Sequence, residues 1–312
     1  MTSAAESIII QEVAPRDGLQ IEPVFVPTDA KIKLIDGLSQ AGFKRIEVTS
    51  FVSPKAVPAL ADAAEVMSGI TRNPQTVYVA LVPNLRGAER AMAAKADEMN
   101  IVASVSETHN MANMRMSVAA SFTQFEAIAT LAKAAGMPFN GAVATAFGCP
   151  FEGDQPEDKV LDLVKRYLDL GCTGITLADT TGMADPTQVA RLVQRALALV
   201  GQERLSLHFH NTRGLGLANV LAAFQTGARR FDAALGGLGG CPFAPGASGN
   251  ICTEDTVAMC ERMGLYTGLD LGKLLALSRT LPALIGHDVA GQVVKAGLVT
   301  DLHPVPSGLK RA

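Results

Sequence analysis

Leu205-Ser206-Leu207-His208-Phe209, then Leu215–Thr226, then Arg230-Phe231-Asp232-Ala233-Ala234 read as a strand, a helix and a second strand in immediate succession. The two outer runs are short and bounded by polar residues or glycine, as strands are, and the middle one is amphipathic at helical spacing. A strand that reaches its parallel neighbour through a helix is the repeating unit of a parallel sheet. Working outward, the same alternation recurs along the chain. Further strand candidates are Ser7–Val13, Arg45–Val48, Thr76–Leu81, Glu98–Ala103, Phe139–Ala146 and Gly174–Leu177. Helical stretches lie between them at Thr28–Ala41, Leu85–Ala94, Ser121–Ala135, Pro156–Leu170 and Asp185–Val200.

In the first helix Ile32, Ile35, Leu38 and Ala41 recur at helical spacing, with Thr28 placed to cap its start and Gly42 just past its end. Gln155-Pro156 and Asp185-Pro186 put proline in a first helical turn. About eight such units, with no Ser/Gly linker between them, predict one domain across residues 1–312 built on a closed (β/α)8 TIM barrel over about residues 7–250. A doubly wound sheet has fewer strands and a recognisable nucleotide-binding turn. Thr253–Met263 and Leu271–Ile285 predict additional C-terminal helices, within about residues 251–290, that close the barrel and cover its mouth.

Composition narrows the partners. With 48% hydrophobic and 18% charged residues the chain has ample material for a large core and is not disordered. A formal charge of -3 provides no broad positive field, which argues against nucleic acid and for a small molecule. No apolar run reaches the roughly 18 residues of a membrane span, and Met1 to Ser7 lacks the basic start and apolar core of a signal peptide. The ending Gly308-Leu309-Lys310-Arg311-Ala312 is not a peroxisomal address, so the cytoplasm is the expected compartment. Five cysteines, Cys149, Cys172, Cys241, Cys252 and Cys260, form no CxxC pair and are expected as reduced thiols.

In a barrel, chemistry gathers at the C-terminal ends of the strands. Arg16 and Asp17 follow strand one, Glu47 and Ser50 end strand two, Asn84 follows strand three, Asp179 follows strand six, and His208 and His210 end strand seven. The two-residue period of a strand turns both imidazoles of His208-Phe209-His210 to one face. Alone, that pair could bind a divalent cation or simply line the mouth. Asp17 favours the cation, because strands one and seven converge on one rim and a carboxylate adds charge and a third ligand. Such a mixed N/O site suits Mg or Mn and could also take Zn or Co; Asn250 could add an amide oxygen or be a turn residue.

Arg16 could form a structural pair with Asp17 or set a fixed cation beside a developing oxyanion, and the second role is favoured. Glu47 could anchor Arg16 or do acid-base work; the anchor is favoured, since an unpaired arginine is costly to bury. Gly236–Phe243 carries Cys241 in a glycine-rich stretch without GxxxxGK[ST], which fits a lid bearing an acid-base thiol better than a phosphate loop. Cys149, Cys172, Cys252 and Cys260 read as packing residues.

Four segments carry a family resemblance: Glu12-Val13-Ala14-Pro15-Arg16-Asp17-Gly18-Leu19-Gln20, Glu47-Val48-Thr49-Ser50-Phe51-Val52-Ser53-Pro54-Lys55, Gly148-Cys149-Pro150-Phe151-Glu152-Gly153, and the run from Gly237 to Asn250, GLGGCPFAPGASGN. From about Ile8 to Ile285 the chain resembles the 3-hydroxy-3-methylglutaryl-CoA lyases, in the barrel superfamily that includes isopropylmalate and homocitrate synthases. The synthases share the Arg-Asp and HxH features but not the cysteine loop. The resemblance implies that Asp17, His208, His210 and Asn250 bind a divalent cation and that Arg16 stabilises an enolate. It further implies that Glu47 supports Arg16, Asp179 takes part in acid-base chemistry and Cys241 is the acid-base group of a mobile loop. The implied reaction is retro-Claisen cleavage of an acyl-CoA thioester, and the implied assembly is a homodimer. After the histidines the chain reads Asn211-Thr212-Arg213-Gly214 where these lyases typically read Asp-Thr-Tyr-Gly. That change in pocket charge and size makes citramalyl-CoA or a longer branched 3-hydroxyglutaryl-CoA the alternative substrate.

Overall fold

A computed structural model describes residues 6–240, 249–302, 304 and 305. Eight parallel strands close into a barrel in chain order: β1 Ile9–Glu12, β2 Arg45–Ser50, β3 Val77–Leu81, β4 Glu98–Ser104, β5 Phe139–Ala144, β6 Gly174–Asp179, β7 Leu205–Phe209 and β8 Arg230–Ala233. Pairing of β1 with β8, from Ile9 opposite Arg230 to Glu12 opposite Ala233, closes the ring. All eight expected strands form, with ends displaced by up to two residues.

Helices between the strands cover the barrel with one apolar face each. In Glu157–Leu170, Val160, Leu161, Leu163, Val164 and Tyr167 are buried, and Tyr167 donates its hydroxyl to the Ala142 carbonyl at 3.1 Å. Tyr167 reaches that far in because residue 141 is glycine: a Cβ there would lie 2.5 Å from its ring. Two shorter helices, Ala63–Gly69 and Glu107–Met114, were not legible as separate periodic runs.

Two local expectations are corrected. Thr28 is the first helical residue, not the cap; Pro27 holds the cap position, and the Thr28 hydroxyl donates to Asp62 at 2.8 Å. The single helix expected at Leu271–Ile285 is two, Leu271–Ser278 and Leu281–Ile285, the second opening with Pro282 in its first turn. Thr253–Arg262 and Leu271–Ser278 close the ring of helices, with Leu277 against Gly37 of the first helix. Among the described residues no helix is long and apolar enough to cross a membrane.

The barrel interior is polar where such interiors are usually filled by branched aliphatics. Glu47, Asn100, Asn140 and Thr176 form a buried layer across β2, β4, β5 and β6: Asn100 Nδ2 donates to Glu47 Oε1 at 2.9 Å, and Asn140 Nδ2 donates to Asn100 Oδ1 at 2.9 Å and Thr176 Oγ1 at 3.1 Å. These bonds satisfy polar groups that would otherwise be expensive to bury, and they brace the charged rim above them.

Candidate metal centre and active site

Beyond β1 the chain winds into one wide turn, Ala14–Gly18, whose Arg16, Asp17 and Gly18 N–H groups all point at the Val13 carbonyl, at 3.1, 2.7 and 3.3 Å. Pro15 suits the start of such a turn because it has no donor to satisfy. The turn sets Arg16 and Asp17 on the rim. From β7, His208 and His210 reach the same rim, while Phe209 faces outward against Phe147 with ring centroids 5.7 Å apart. The imidazole Nε2 atoms lie 3.1 Å apart, and each is 3.9 Å from Asp17 Oδ2.

Asn250 joins them through a bridge to His210, donating Nδ2 to Asp17 Oδ2 at 2.7 Å and to the Leu238 carbonyl at 3.0 Å. Its Oδ1 is buried with no hydrogen-bond partner among the described residues. Gly249 makes this approach possible: it has φ +90°, and a Cβ there would meet the Gly237 carbonyl at 2.4 Å.

Asp17, His208 and His210 thus present one oxygen and two nitrogens, all buried and within 4.8 Å of one another. That donor set fits a divalent cation, and the partnerless Asn250 oxygen is a fourth donor beside it. Burial opposes ionisation of Asp17, but Arg16, then His208 and His210, and the Asn250 bond outweigh it and hold the carboxyl at about 2. Burial, reinforced by His208, pushes His210 down to about 3, so it is a neutral donor. Burial also opposes protonation of His208, but the bond to Asp232 and the charge of Asp17 raise it overall.

Arg16 is clamped between carboxylates: Nε donates to Glu47 Oε2 at 2.6 Å and Nη1 to Asp17 Oδ1 at 2.5 Å. Despite burial, these charges raise its pKa further, so the guanidinium is permanently charged. Asp179, the last residue of β6, accepts the Met183 and Ala184 N–H groups on Oδ1 at 2.7 and 3.1 Å, while Oδ2 is buried without a partner among the described residues. Burial is the largest influence on Asp179 and raises it to about 6 against those two bonds. A carboxyl near neutrality with one open oxygen can exchange a proton at working pH. Cys241 lies outside the described residues.

A family model described as HMGL-like matches residues 7–281. The chain belongs to the HMGL-like family. It is 43% identical to hydroxymethylglutaryl-CoA lyase YngG of Bacillus subtilis, covering 90% of this chain and 94% of that protein. It is 42% identical to (R)-citramalyl-CoA lyase of Chloroflexus aurantiacus, over 94% of this chain and 96% of the other. Among solved structures, an HMG-CoA lyase from A. baumannii in complex with coenzyme A and 3-methylmalate superposes with a TM-score of 0.95 at 62% identity, covering 98% of this chain and all of that one.

Within this HMGL-like chain, the residues that depart from the usual motif have local structural work. Asn211 Oδ1 accepts the Gly216 N–H at 3.0 Å at the start of the helix after β7. Exposed Arg213 donates Nη1 to the carbonyls of Thr181 and Gly182 at 3.1 and 2.8 Å, tying the loop after β7 to the loop after β6. Asn84 caps the helix Leu85–Ala93 by accepting the Gly87 N–H, and Ser50 is buried without a bond to the cluster. Sequence reading passed over three supports: Gln20, which donates to Asp17 Oδ1 at 3.1 Å, Asn100 beneath Glu47, and Asp232 beside His208. A signal existed for Asp232, since Arg230-Phe231-Asp232 alternates polar and apolar residues along β8.

Proposed function

We propose that the chain cleaves 3-hydroxy-3-methylglutaryl-CoA to acetyl-CoA and acetoacetate, with a divalent cation, Mg or Mn, held by Asp17, His208, His210 and Asn250. The observation that carries this reading is the buried carboxylate and imidazole pair on the C-terminal rim, next to an arginine fixed by two carboxylates. A cation bound there supplies Lewis acidity toward the hydroxyl and carboxylate of the acyl chain.

Asp179 accepts the hydroxyl proton at Oδ2, the oxygen without a partner among the described residues. As that O–H bond breaks, the carbinol carbon becomes a ketone, and the electron pair of the adjacent carbon-carbon bond passes to the thioester fragment as an enolate. Arg16, with Nε and Nη1 already committed, faces the enolate oxygen with its remaining N–H groups and needs no reorganisation to stabilise it. Cys241 returns a proton to the enolate carbon, giving acetyl-CoA. Glu47 keeps Arg16 in place and does not touch the reacting atoms.

The test is release of acetyl-CoA from a panel of thioesters in the presence of Mg or Mn. Release from 3-hydroxy-3-methylglutaryl-CoA is expected. Release from citramalyl-CoA or a longer branched 3-hydroxyglutaryl-CoA alone would reassign the acyl group to the alternative that Asn211 and Arg213 suggest. No release from any thioester would overturn the lyase reading. We read the chain as one catalytic domain, and the family resemblance favours a homodimer in the cytoplasm; light scattering of the purified protein tests the dimer.

A further inference from the structure

The two imidazoles of the HxH pair are held differently. His208 Nδ1 lies 3.2 Å from Asp232 Oδ2, whereas the buried Nδ1 of His210 has no hydrogen-bond partner among the described residues. The barrel register sets this up: β7 and β8 pair with His208 directly opposite Asp232, and both side chains are buried. Asp232 is itself held from below. Its Oδ1 accepts from Gln11 Nε2 at 3.3 Å, Gln11 Oε1 accepts from Arg45 Nε at 3.0 Å, and Arg45 is paired with Glu98. The four groups form a hydrogen-bonded column leading from His208 to the cavity at the opposite end of the barrel, which Gln11, Arg45 and Glu98 line.

An ionised carboxylate only accepts, so the hydrogen in the Asp232–His208 contact belongs to Nδ1. Neutral imidazole carries one N–H, which leaves Nε2 as a bare lone pair facing Asp17 and His210. Without Asp232, no other bond to His208 Nδ1 among the described residues would select the tautomer, and a hydrogen on His208 Nε2 could settle in the 3.1 Å contact to His210 and block the donor atom. We propose that Asp232 is a positioning residue that fixes His208 as its Nδ1–H tautomer and so keeps Nε2 open as a ligand, with Gln11 and Arg45 holding the carboxylate in its accepting orientation. A carboxylate behind a metal-bound histidine commonly orients the ring and raises its basicity. The inference rests on the reading of Asp17, His208 and His210 as a cation site.

The tautomer also determines the metal-free state. With His208 Nε2 bare, the short contact between the rings requires the hydrogen on His210 Nε2, which leaves His210 Nδ1 as an unprotonated acceptor. That agrees with its burial without a partner, since a bare nitrogen costs less to leave unmatched there than an N–H would.

Long-range proton–nitrogen NMR of the wild-type, chelator-treated protein in mildly alkaline buffer should show hydrogen on His208 Nδ1 and His210 Nε2. A hydrogen on His208 Nε2 overturns the proposal, without any variant having to fold. Titration calorimetry with Mn should then show affinity lowered by about 10- to 100-fold in Asp232→Asn, whose amide can donate to Nδ1 and send the hydrogen to Nε2, and in Asp232→Ala. Wild-type affinity in both, with Asp17→Ala abolishing binding, overturns the positioning role alone. Unchanged binding in Asp17→Ala overturns the site reading and this inference together.

Discussion

Asp179 should leave a pH signature on stability that its amide cannot reproduce. Burial raises its carboxyl from 3.8 to about 6, so ionising it inside the fold costs about 3 kcal/mol more than in the unfolded chain. Because the folded-state value is the higher one, the folded protein keeps a proton that the unfolded chain has lost. This contribution is present below about pH 3.8 and is lost as pH rises through about 6. His210, depressed from 6.5 to about 3, acts in the opposite direction, its contribution being lost as pH falls below about 6.5. Asp179→Asn removes the first titration, keeps an acceptor for Met183 and Ala184, and leaves His210 in both proteins. In chelator-treated samples the unfolding free energy of the variant relative to wild type should therefore rise by about 3 kcal/mol between about pH 4 and pH 7. For a chain of 312 residues that is a relative Tm shift of about 4–5 °C. The cost of burying the new amide N–H group shifts the difference curve without tilting it. Parallel stability curves would refute the reasoning and remove the physical basis for Asp179 as a proton acceptor near neutrality. Sustained turnover in the same variant would refute the role itself.

Cys241→Ala should leave metal stoichiometry intact and lower turnover by orders of magnitude; near-normal acetyl-CoA release would end its assignment as the late proton donor. His208→Ala should lose bound metal and activity together, and unchanged metal content by elemental analysis would exclude the HxH pair as ligands. Glu47→Gln uncouples a buried arginine from its strongest partner, so a loss of about 3 kcal/mol in urea unfolding is expected, with a lower kcat from a misplaced Arg16; wild-type values for both would show that Asp17 alone holds the guanidinium. Gly249→Ala places a Cβ against the Gly237 carbonyl and strains a left-handed backbone by about 1–2 kcal/mol, which should displace Asn250 and weaken Mn binding in calorimetry.

The sequence by itself determined the strand and helix order and the face each rim residue takes. Both follow from local periodicity: the period of two along Leu205–Phe209 puts His208 and His210 on one face, opposite Phe209, whatever surrounds them, and the Arg16-Asp17 pair follows its strand wherever that strand goes. Tertiary structure decided which groups meet. β1 and β7 are not neighbours, and Asp17 reaches the histidines only because β8 pairs with both and closes the ring. The register between β7 and β8 sets Asp232 opposite His208, and stacking of β2, β4, β5 and β6 puts Asn100 and Asn140 beneath Glu47. The same distinction explains the corrected details: Thr28 is taken by Asp62 from a distant segment, a partner no cap signal encodes. Side-chain direction is set within a few residues of chain, while a hydrogen-bond partner from another strand exists only once the barrel has closed.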